Sequence, residues 1–153
     1  FYLDIDADRI LACREPGVYA SNAGEGRCGY VSIAELGYAT ARMLVRACPA
    51  GRLYNLTGGD VTQGEIVALV NEVFGTSVAY RAISDAEKMA QMLANPAIAA
   101  RGGKLIADML CGLNQAVRAG AFVVPSHFAE AAGRPCRSMR DMMLDIAQGM
   151  RGS

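Results

Sequence analysis

The sequence predicts an α/β fold, and the segment from residue 52 to residue 80 carries most of that prediction. Residues 52–57 alternate between apolar and polar side chains as a strand does, a glycine turn follows, and an apolar helical repeat covers residues 63–74. Thr62 and Glu65 form a capping box where this helix begins, and Gly75 suits its C-terminal end. A strand flanked by helices requires a parallel sheet, so the segment is typical of the closing α/β unit of a larger fold.

Capping boxes predict where four helices begin, because a hydroxyl and a carboxylate three residues apart satisfy the free N–H groups of a helix start. The pairs are Ser32/Glu35, Thr62/Glu65, Ser84/Glu87 and Ser138/Asp141. They predict helices at residues 33–47, 63–74, 85–94 and 139–149. Further helices are expected at residues 4–15 and 104–119, with a break between residues 95 and 103 at a proline and a glycine pair. Strands are expected at residues 18–20, 52–57, 78–83 and 122–124.

The composition limits the size of the domain and the kinds of partner. A chain of 153 residues, 52% of them hydrophobic, fits one domain with a core. Lysine plus arginine and aspartate plus glutamate both number 15, so no basic face for nucleic acid or for an anionic membrane is predicted. The apolar runs are also too short for a membrane span.

The sulfur-containing residues favour a reducing compartment. The five cysteines, at positions 13, 28, 48, 111 and 136, are odd in number and form no Cys-x-x-Cys pair. We therefore expect reduced thiols in a cytoplasmic protein. The eight methionines have mostly helical spacing, which is typical of core residues, and a minority are expected to line an adaptable pocket for a flat apolar compound.

Residues 24–29, GEGRCG, match the pattern G-x-G-x-x-G but lack its structural setting. A dinucleotide fingerprint places its last glycines in the first helical turn, whereas here the capping box starts the helix only at Ser32. We predict a glycine turn instead.

The single histidine, His127, has no acidic residue fixed beside it, so we expect it at a helix start near Phe128 rather than in a catalytic triad.

Asp4, Asp6 and Asp8, with Glu15 at the twelfth position, imitate a calcium-binding loop. Such a loop needs glycine at its sixth position for a sharp turn, and Arg9 stands there. Acidic residues are also favoured in the first turn of any helix. We therefore predict a helix and no metal site.

Several segments follow one another in an order that carries more information than any single motif. They are FYL at residues 1–3, GVY and AGEG within 17–26, the helix of 32–45, the strand, turn and helix of 51–80, GAF at 120–122, and AGRPCRSM at 132–139. In this order they resemble the NmrA-like branch of the atypical short-chain dehydrogenase/reductase superfamily. The resemblance covers nearly the whole chain and is closest to the NAD(P)H:quinone oxidoreductase-like subgroup.

The resemblance implies the C-terminal part of a Rossmann-like NAD(P)-binding fold together with its small, mainly helical substrate domain. In such proteins a strand, a glycine-rich loop and a helix cradle the pyrophosphate, and residues 1–153 contain no counterpart of that unit. We therefore expect residues 1–83 to form the remaining α/β part and pocket rim, residues 84–153 to form the helical substrate or lid part, and the N-terminal dinucleotide-binding half to be missing.

The function that the resemblance implies is that of the substrate-side portion of an NAD(P)H-dependent oxidoreductase, reducing a quinone or related carbonyl compound. The full-length protein is expected to use NADP or NAD, while this chain is expected to bind either poorly. Two alternatives remain: an NmrA-like dinucleotide-sensing regulator without turnover, and an inactive truncated gene product. The expected partner is a quinone-like small molecule, and self-association into a homo-oligomer is also expected if the strand at 52–57 exposes an open edge.

Four aromatic residues are the candidate pocket residues: Phe1, Tyr2, Tyr19 and Tyr30. The resemblance places Phe1 and Tyr2 after a strand near the nicotinamide and the glycine turn at the pocket rim. An aromatic ring there stacks on a planar substrate, and a tyrosine hydroxyl orients it. The alternative is that these side chains belong to the core. The superfamily's Tyr-x-x-x-Lys pair is expected upstream, so the catalytic residues stay unknown at this point.

Overall fold

The computed structural model describes residues 1–46 and 51–151. Its helices are α1 (Leu3–Leu11), α2 (Ile33–Val45), α3 (Gln63–Phe74), α4 (Asp85–Leu93), α5 (Pro96–Ala100), α6 (Lys104–Arg118), α7 (Phe128–Ala132) and α8 (Met139–Arg151). Its strands are β1 (Val18–Ser21), β2 (Arg27–Gly29), β3 (Asp60–Thr62) and β4 (Ala79–Ala82). The α/β fold class is confirmed.

The described strands form two small sheets. Strands β1 and β4 pair in parallel, with Val18 opposite Ala79 and Ser21 opposite Ala82. Strands β2 and β3 pair in antiparallel fashion, with Arg27 opposite Thr62. The predicted strands at 18–20 and 78–83 are confirmed, with β4 somewhat shorter than expected. Helix α3 and strand β4 of the predicted α/β unit are present, but the strand that enters α3 is β3, which begins at the end of the predicted glycine turn.

The predicted strand at residues 52–57 is wrong, because this segment joins no strand ladder. Its backbone is satisfied elsewhere: the Asn55 N–H donates to His127 Nδ1 at 3.0 Å, and the His127 N–H donates back to the Asn55 carbonyl at 2.8 Å. The Ser126 hydroxyl donates to the Thr57 carbonyl. Residues 126–127 are irregular, so their hydrogen bonds to residues 55–57 do not form a strand ladder. The alternating side chains of residues 52–57 are therefore not accompanied by strand pairing. The expected open strand edge is therefore not formed by this segment.

The strand expected at 122–124 is also wrong, since these residues form a turn and an irregular segment.

The helix starts follow the capping boxes closely. Both reciprocal bonds are present at Thr62 with Glu65 and at Ser84 with Glu87, and α3 has the predicted bounds. Ser32 accepts from the Glu35 N–H at 3.2 Å, but the Glu35 carboxylate turns away from the helix start to bind an arginine. Helix α2 ends at Val45, and Ala47, where its end was predicted, lies outside the described residues.

The core lies between α1, α3 and α8. Helix α1 contributes Leu3, Ala7 and Ile10, and the other fully buried side chains include Tyr30, Ile66, Val70, Met142 and Met143. Asp4, Asp6 and Asp8 lie within helix α1, as predicted, rather than in a loop. The core is thus made mainly by helices, and the two sheets flank it.

The GEGRCG segment is a turn followed by β2. Gly26 lies directly against the C-terminal end of α6, where an added Cβ would come within 2.5 Å of the Val117 carbonyl oxygen. Close packing of two backbones explains this glycine. It also leaves no room for a pyrophosphate at Gly26, so the dinucleotide phosphates do not fit this segment.

No helix among residues 1–46 and 51–151 is both long and apolar enough to cross a membrane. Cys13, Cys28, Cys111 and Cys136 are free thiols, and Cys48 lies outside the described residues. Burial raises the pKa of the Cys28 thiol to about 11, so this thiol is protonated and inert at neutral pH.

Candidate functional site

A cavity of about 770 Å³ opens between α1 and β1 on one side and helices α4, α5 and α6 on the other. The side chains that line it are Phe1, Asp6, Arg9, Cys13, Val18, Tyr19, Gln63, Arg81, Lys88, Gln91, Met92, Asn95, Ile98, Arg101, Ile106, Met109, Leu110, Leu113 and Asn114, with Ala12 and Ala20. Its size suits a ligand of one or a few rings. Its lining combines apolar helix faces with a small number of polar groups, as ligand pockets generally do.

The four aromatic candidates take three different positions. Phe1 and Tyr19 line the cavity. Tyr30 is fully buried behind it, with its ring centroid 5.7 Å from that of Phe1. Tyr2 is 46% exposed and lies outside the cavity lining. The structure thus brings Phe1, Tyr19 and Tyr30 together and leaves Tyr2 apart.

Tyr19 and Tyr30 both lie near Asp6, a carboxylate that is 5% exposed. The Tyr30 hydroxyl donates to Asp6 Oδ2 at 2.7 Å, and Arg9 donates to Asp6 Oδ1 at 3.2 Å. Burial, with a smaller effect of Asp6, raises the pKa of both tyrosines well above the usual value. Both hydroxyls therefore stay protonated at neutral pH and act as hydrogen-bond donors.

Lys88 is the amine of the cavity, on the face of α4 that turns towards β1. Its Nζ donates to the Ala20 carbonyl at 2.6 Å. A lysine ammonium has three N–H donors, so this bond leaves further donors available. Burial lowers the pKa of Lys88, and the thiols of Cys111 and Cys13 partly oppose this effect. A lysine that is partly desolvated and held by a backbone carbonyl is well suited to bind an oxygen that gains negative charge.

The cavity lining is positively charged although the whole chain is neutral. Its cationic side chains are Arg9, Arg81, Lys88 and Arg101, and Asp6 is the one carboxylate among the described lining residues. Arg9 pairs with Asp6. The remaining cations give the cavity a field that favours an anionic ligand or an anionic reaction intermediate.

A network of side-chain amides lies where β1 ends and reaches the cavity lining at Asn114. Asn22 donates to Asp85 Oδ1 at 2.8 Å and to the Cys111 carbonyl at 3.3 Å, and it accepts from Asn114 Nδ2 at 2.9 Å. Arg118 binds Asp85 through two contacts of 3.1 and 2.9 Å. These bonds join the loop after β1 to the start of α4 and to α6. They fix the position of the cavity wall.

Sequence reasoning did not assign roles to Lys88, Gln63 and Asn114. Each lies on a helix whose start was predicted, but their convergence depends on how α3, α4 and α6 pack. One signal was available for Lys88, since the sequence has only two lysines and this one shares a helix face with Met92. Met92 and Met109 line the cavity, whereas Met142 and Met143 are buried in the core. The expectation that most of the eight methionines are core residues is therefore not met, since the other methionines are only partly buried or exposed.

His127 is the residue before helix α7, in agreement with the predicted helix start. Its Nδ1 accepts from the Asn55 N–H, and its ring packs edge-to-face on Tyr54 with centroids 6.0 Å apart. His127 is absent from the cavity lining. Its contacts anchor residues 52–57.

The fold matches about half of several solved structures. An NADPH-dependent quinone oxidoreductase from Escherichia coli matches with a TM-score of 0.78 and 22% identity, over 98% of this chain and 52% of that one. A triphenylmethane reductase from Citrobacter sp., solved with NADP(H), matches with a TM-score of 0.77 and 21% identity, over 95% of this chain and 50% of that one. A nucleoside-diphosphate-sugar epimerase from Staphylococcus aureus matches with a TM-score of 0.78 and 18% identity, over 94% and 49%.

No protein-family model and no curated protein matches the sequence. The chain spans about half the length of the solved structures it matches. The chain therefore shares the fold of these solved structures. More specifically, the chain has the fold of the C-terminal half of these Rossmann-like proteins.

Proposed function

We propose that this chain forms the substrate side of an NAD(P)H-dependent oxidoreductase that reduces a quinone or a related carbonyl compound. The observation that carries the proposal is the cavity beside Tyr19 and Lys88, which combines an aromatic wall, apolar helix faces and an excess of positive charge. The solved structures that share the fold include proteins described as an NADPH-dependent quinone oxidoreductase and a triphenylmethane reductase. Quinones and triphenylmethane dyes both carry conjugated or aromatic rings, which agrees with this lining.

The cofactor's pyrophosphate does not fit the glycine segment of this chain, because Gly26 is packed against α6. In this proposal the NAD(P)H is held by residues outside this chain and supplies a hydride to the substrate. The contribution of the present chain is to bind and orient the substrate.

Three side chains have roles in the proposal. Phe1 and Tyr19 hold the ring of the substrate, and the Tyr19 hydroxyl donates a hydrogen bond to a carbonyl oxygen. Lys88 Nζ binds the oxygen that gains negative charge as the ring is reduced. A fixed cation in a partly desolvated cavity stabilises such an oxygen more than water does.

The test joins this chain to the N-terminal half of the E. coli quinone oxidoreductase and follows NADPH oxidation with a 1,4-naphthoquinone as substrate. Lys88→Met is expected to lower kcat about 10- to 100-fold, because the charge that stabilises the reduced oxygen is lost. Lys104→Met is the matched control: it changes the other lysine, which is exposed and pairs with Asp108, and its kcat is expected to be unchanged. Equal kcat values for both variants would contradict the role of Lys88.

A second comparison tests the aromatic wall. Tyr19→Ala is expected to raise KM for the quinone about 5- to 30-fold, because the stacking surface is lost. Tyr2→Ala is the control, since Tyr2 is outside the lining, and its KM is expected to stay within about twofold. Cofactor binding without any quinone reduction in the joined protein would contradict the enzyme proposal and favour a dinucleotide-sensing regulator.

A further inference from the structure

Two of the four cationic side chains that line the cavity have no partner in the described part of the chain. Arg9 pairs with Asp6, and Lys88 donates to a backbone carbonyl. The guanidinium groups of Arg81 and Arg101 make no hydrogen bond and no ion pair with any described residue. Both side chains are exposed, so a ligand in the cavity can reach them.

The cavity differs in this respect from most of the described surface, where arginine charge is compensated by a carboxylate. The arginines outside the lining that form such ion pairs are Arg27, Arg52, Arg118, Arg134, Arg137 and Arg140. In the lining, Asp6 is the one carboxylate among the described residues, and Arg9 already binds it. The charge of Arg81 and Arg101 is therefore available to a ligand.

Glu87 lies within electrostatic reach of Arg81, but its carboxylate has another contact. The Ser84 N–H and the Ser84 hydroxyl both donate to Glu87 Oε2 at 2.8 Å and cap the start of α4. These bonds hold the pKa of Glu87 below its usual value, with a smaller contribution from Arg81. Arg81 therefore keeps its N–H donors free for another acceptor.

The two arginines stand on different walls of the cavity. Arg81 is on β4, opposite Ala20 of β1, and the Ala20 carbonyl is the group that binds Lys88. Arg101 follows α5 on the other wall. A ligand whose ring lies against Tyr19 therefore meets an unpaired guanidinium on each wall. Such a field favours a ligand that carries negative charge of its own.

We propose that Arg81 and Arg101 bind an anionic substituent of the ligand, so that the substrate class is an aromatic carbonyl compound bearing a carboxylate or a sulfonate. The aromatic ring rests on the proposed function, whereas the anionic group follows from the two unpaired arginines. A guanidinium group donates two parallel hydrogen bonds to such an anion. An uncharged quinone fits the same ring site and is also a substrate, but it binds more weakly because this contact is missing.

The test uses two probes of nearly the same shape that differ in charge: naphthalene-2-sulfonate, an anion, and naphthalene-2-sulfonamide, which is neutral at pH 7. Their binding to the 153-residue chain is measured by calorimetry. The chain is expected to bind the sulfonate about 5- to 20-fold more tightly. The double variant Arg81→Gln with Arg101→Gln is expected to reduce this ratio to about twofold or less. Its melting temperature should be unchanged, because both side chains are exposed and unpaired.

The matched control is Arg14→Gln with Arg46→Gln, which removes the same charge from two exposed arginines outside the lining. It is expected to keep the ratio of the wild type. An equal loss in this control would show an effect of net charge alone and would overturn the proposal.

Equal affinities for the two probes in the wild type, an unchanged ratio in the Arg81 and Arg101 variant, or no binding of either probe would also overturn it. Inorganic phosphate that binds as tightly as the sulfonate, and only in the presence of these arginines, would assign them to a phosphate group instead. No cofactor is present in this measurement, so failure of the proposed reaction is detected separately, by NADPH oxidation in the joined protein.

Discussion

Tyr30 and Tyr19 belong to two regions that are built differently, although both side chains lie near Asp6. The region around Tyr30 is a core in which α1, α3 and α8 bury Leu3, Ile66 and Met143 completely. The region beyond Tyr19 is the cavity wall, where α4 and α5 contribute no buried residue. Hydrophobic burial holds the first region, and hydrogen bonds and ion pairs position the second.

The difference shows why the cavity persists beside a closely packed core. Apolar side chains close any space that they can fill, since each buried methylene group adds about 0.8 kcal/mol. Polar contacts act over fixed distances and directions, so they hold α4 away from β1 without filling the gap. Lys88 and the Asn22 network are the contacts that do this. The cavity is therefore a consequence of how α4 is attached.

Tyr30→Ala is expected to have the largest effect on stability. It removes a fully buried ring and the hydrogen bond to Asp6, so the free energy of unfolding should fall by about 3 to 5 kcal/mol. Urea denaturation followed by circular dichroism measures this. A loss below about 1 kcal/mol would show that the region around Tyr30 is not the main core.

Asn22→Ala comes next and tests the polar attachment of the cavity wall. The Asn22 side chain is buried and joins α4 to α6, so its loss should lower the free energy of unfolding by about 2 kcal/mol. Amide exchange in α4 should also become faster than in α3, which is held by the core. Equal acceleration in both helices would contradict the division into two regions.

Glu35→Gln tests a partly exposed ion pair that lies beside a second apolar cluster, between α2 and α7. Arg134 binds the Glu35 carboxylate through contacts of 2.8 and 2.7 Å and holds its pKa below the usual 4.5. Because the pKa is lowered in the folded state, this stability is present above about pH 4.5 and is lost as the pH falls through the folded value.

The wild type should therefore lose about 1 kcal/mol more than Glu35→Gln when the pH falls from 6 to 3, as measured by thermal melts. Other carboxylates titrate in both proteins, so the difference between them isolates Glu35. Parallel melting curves at all pH values would show that the ion pair contributes nothing to stability.

Tyr19→Phe is expected to have the smallest effect and separates the ring from the hydroxyl. The ring remains, so the free energy of unfolding should change by less than about 0.5 kcal/mol, and the affinity for 1-methoxynaphthalene should stay within about twofold. Calorimetry and a thermal melt on the same sample measure both. A large loss of stability would place Tyr19 with Tyr30 in the core.

The sequence was most informative where a local contact forms the structure. Helix α3 has the bounds predicted by its capping box and by Gly75, which has the positive φ that glycine adopts readily. The strand at residues 52–57 was predicted wrongly, because alternation does not say whether a partner strand is present. Its partner turned out to be the irregular segment at His127, 72 residues away.

The residues of the candidate site also differ in whether the sequence could predict them. Tyr19 was singled out from the sequence with the help of a resemblance, but Lys88, Gln63 and Asn114 were not. Helix starts, the glycine-rich turn and the α/β class depend on residues within a few positions of each other, so the sequence by itself determined them. The amide network beside the cavity depends on contacts between side chains 51 to 92 positions apart. Only tertiary packing brings these groups within hydrogen-bond distance. The orientation of a buried amide is then set by the acceptors and donors around it and not by its neighbours in the chain.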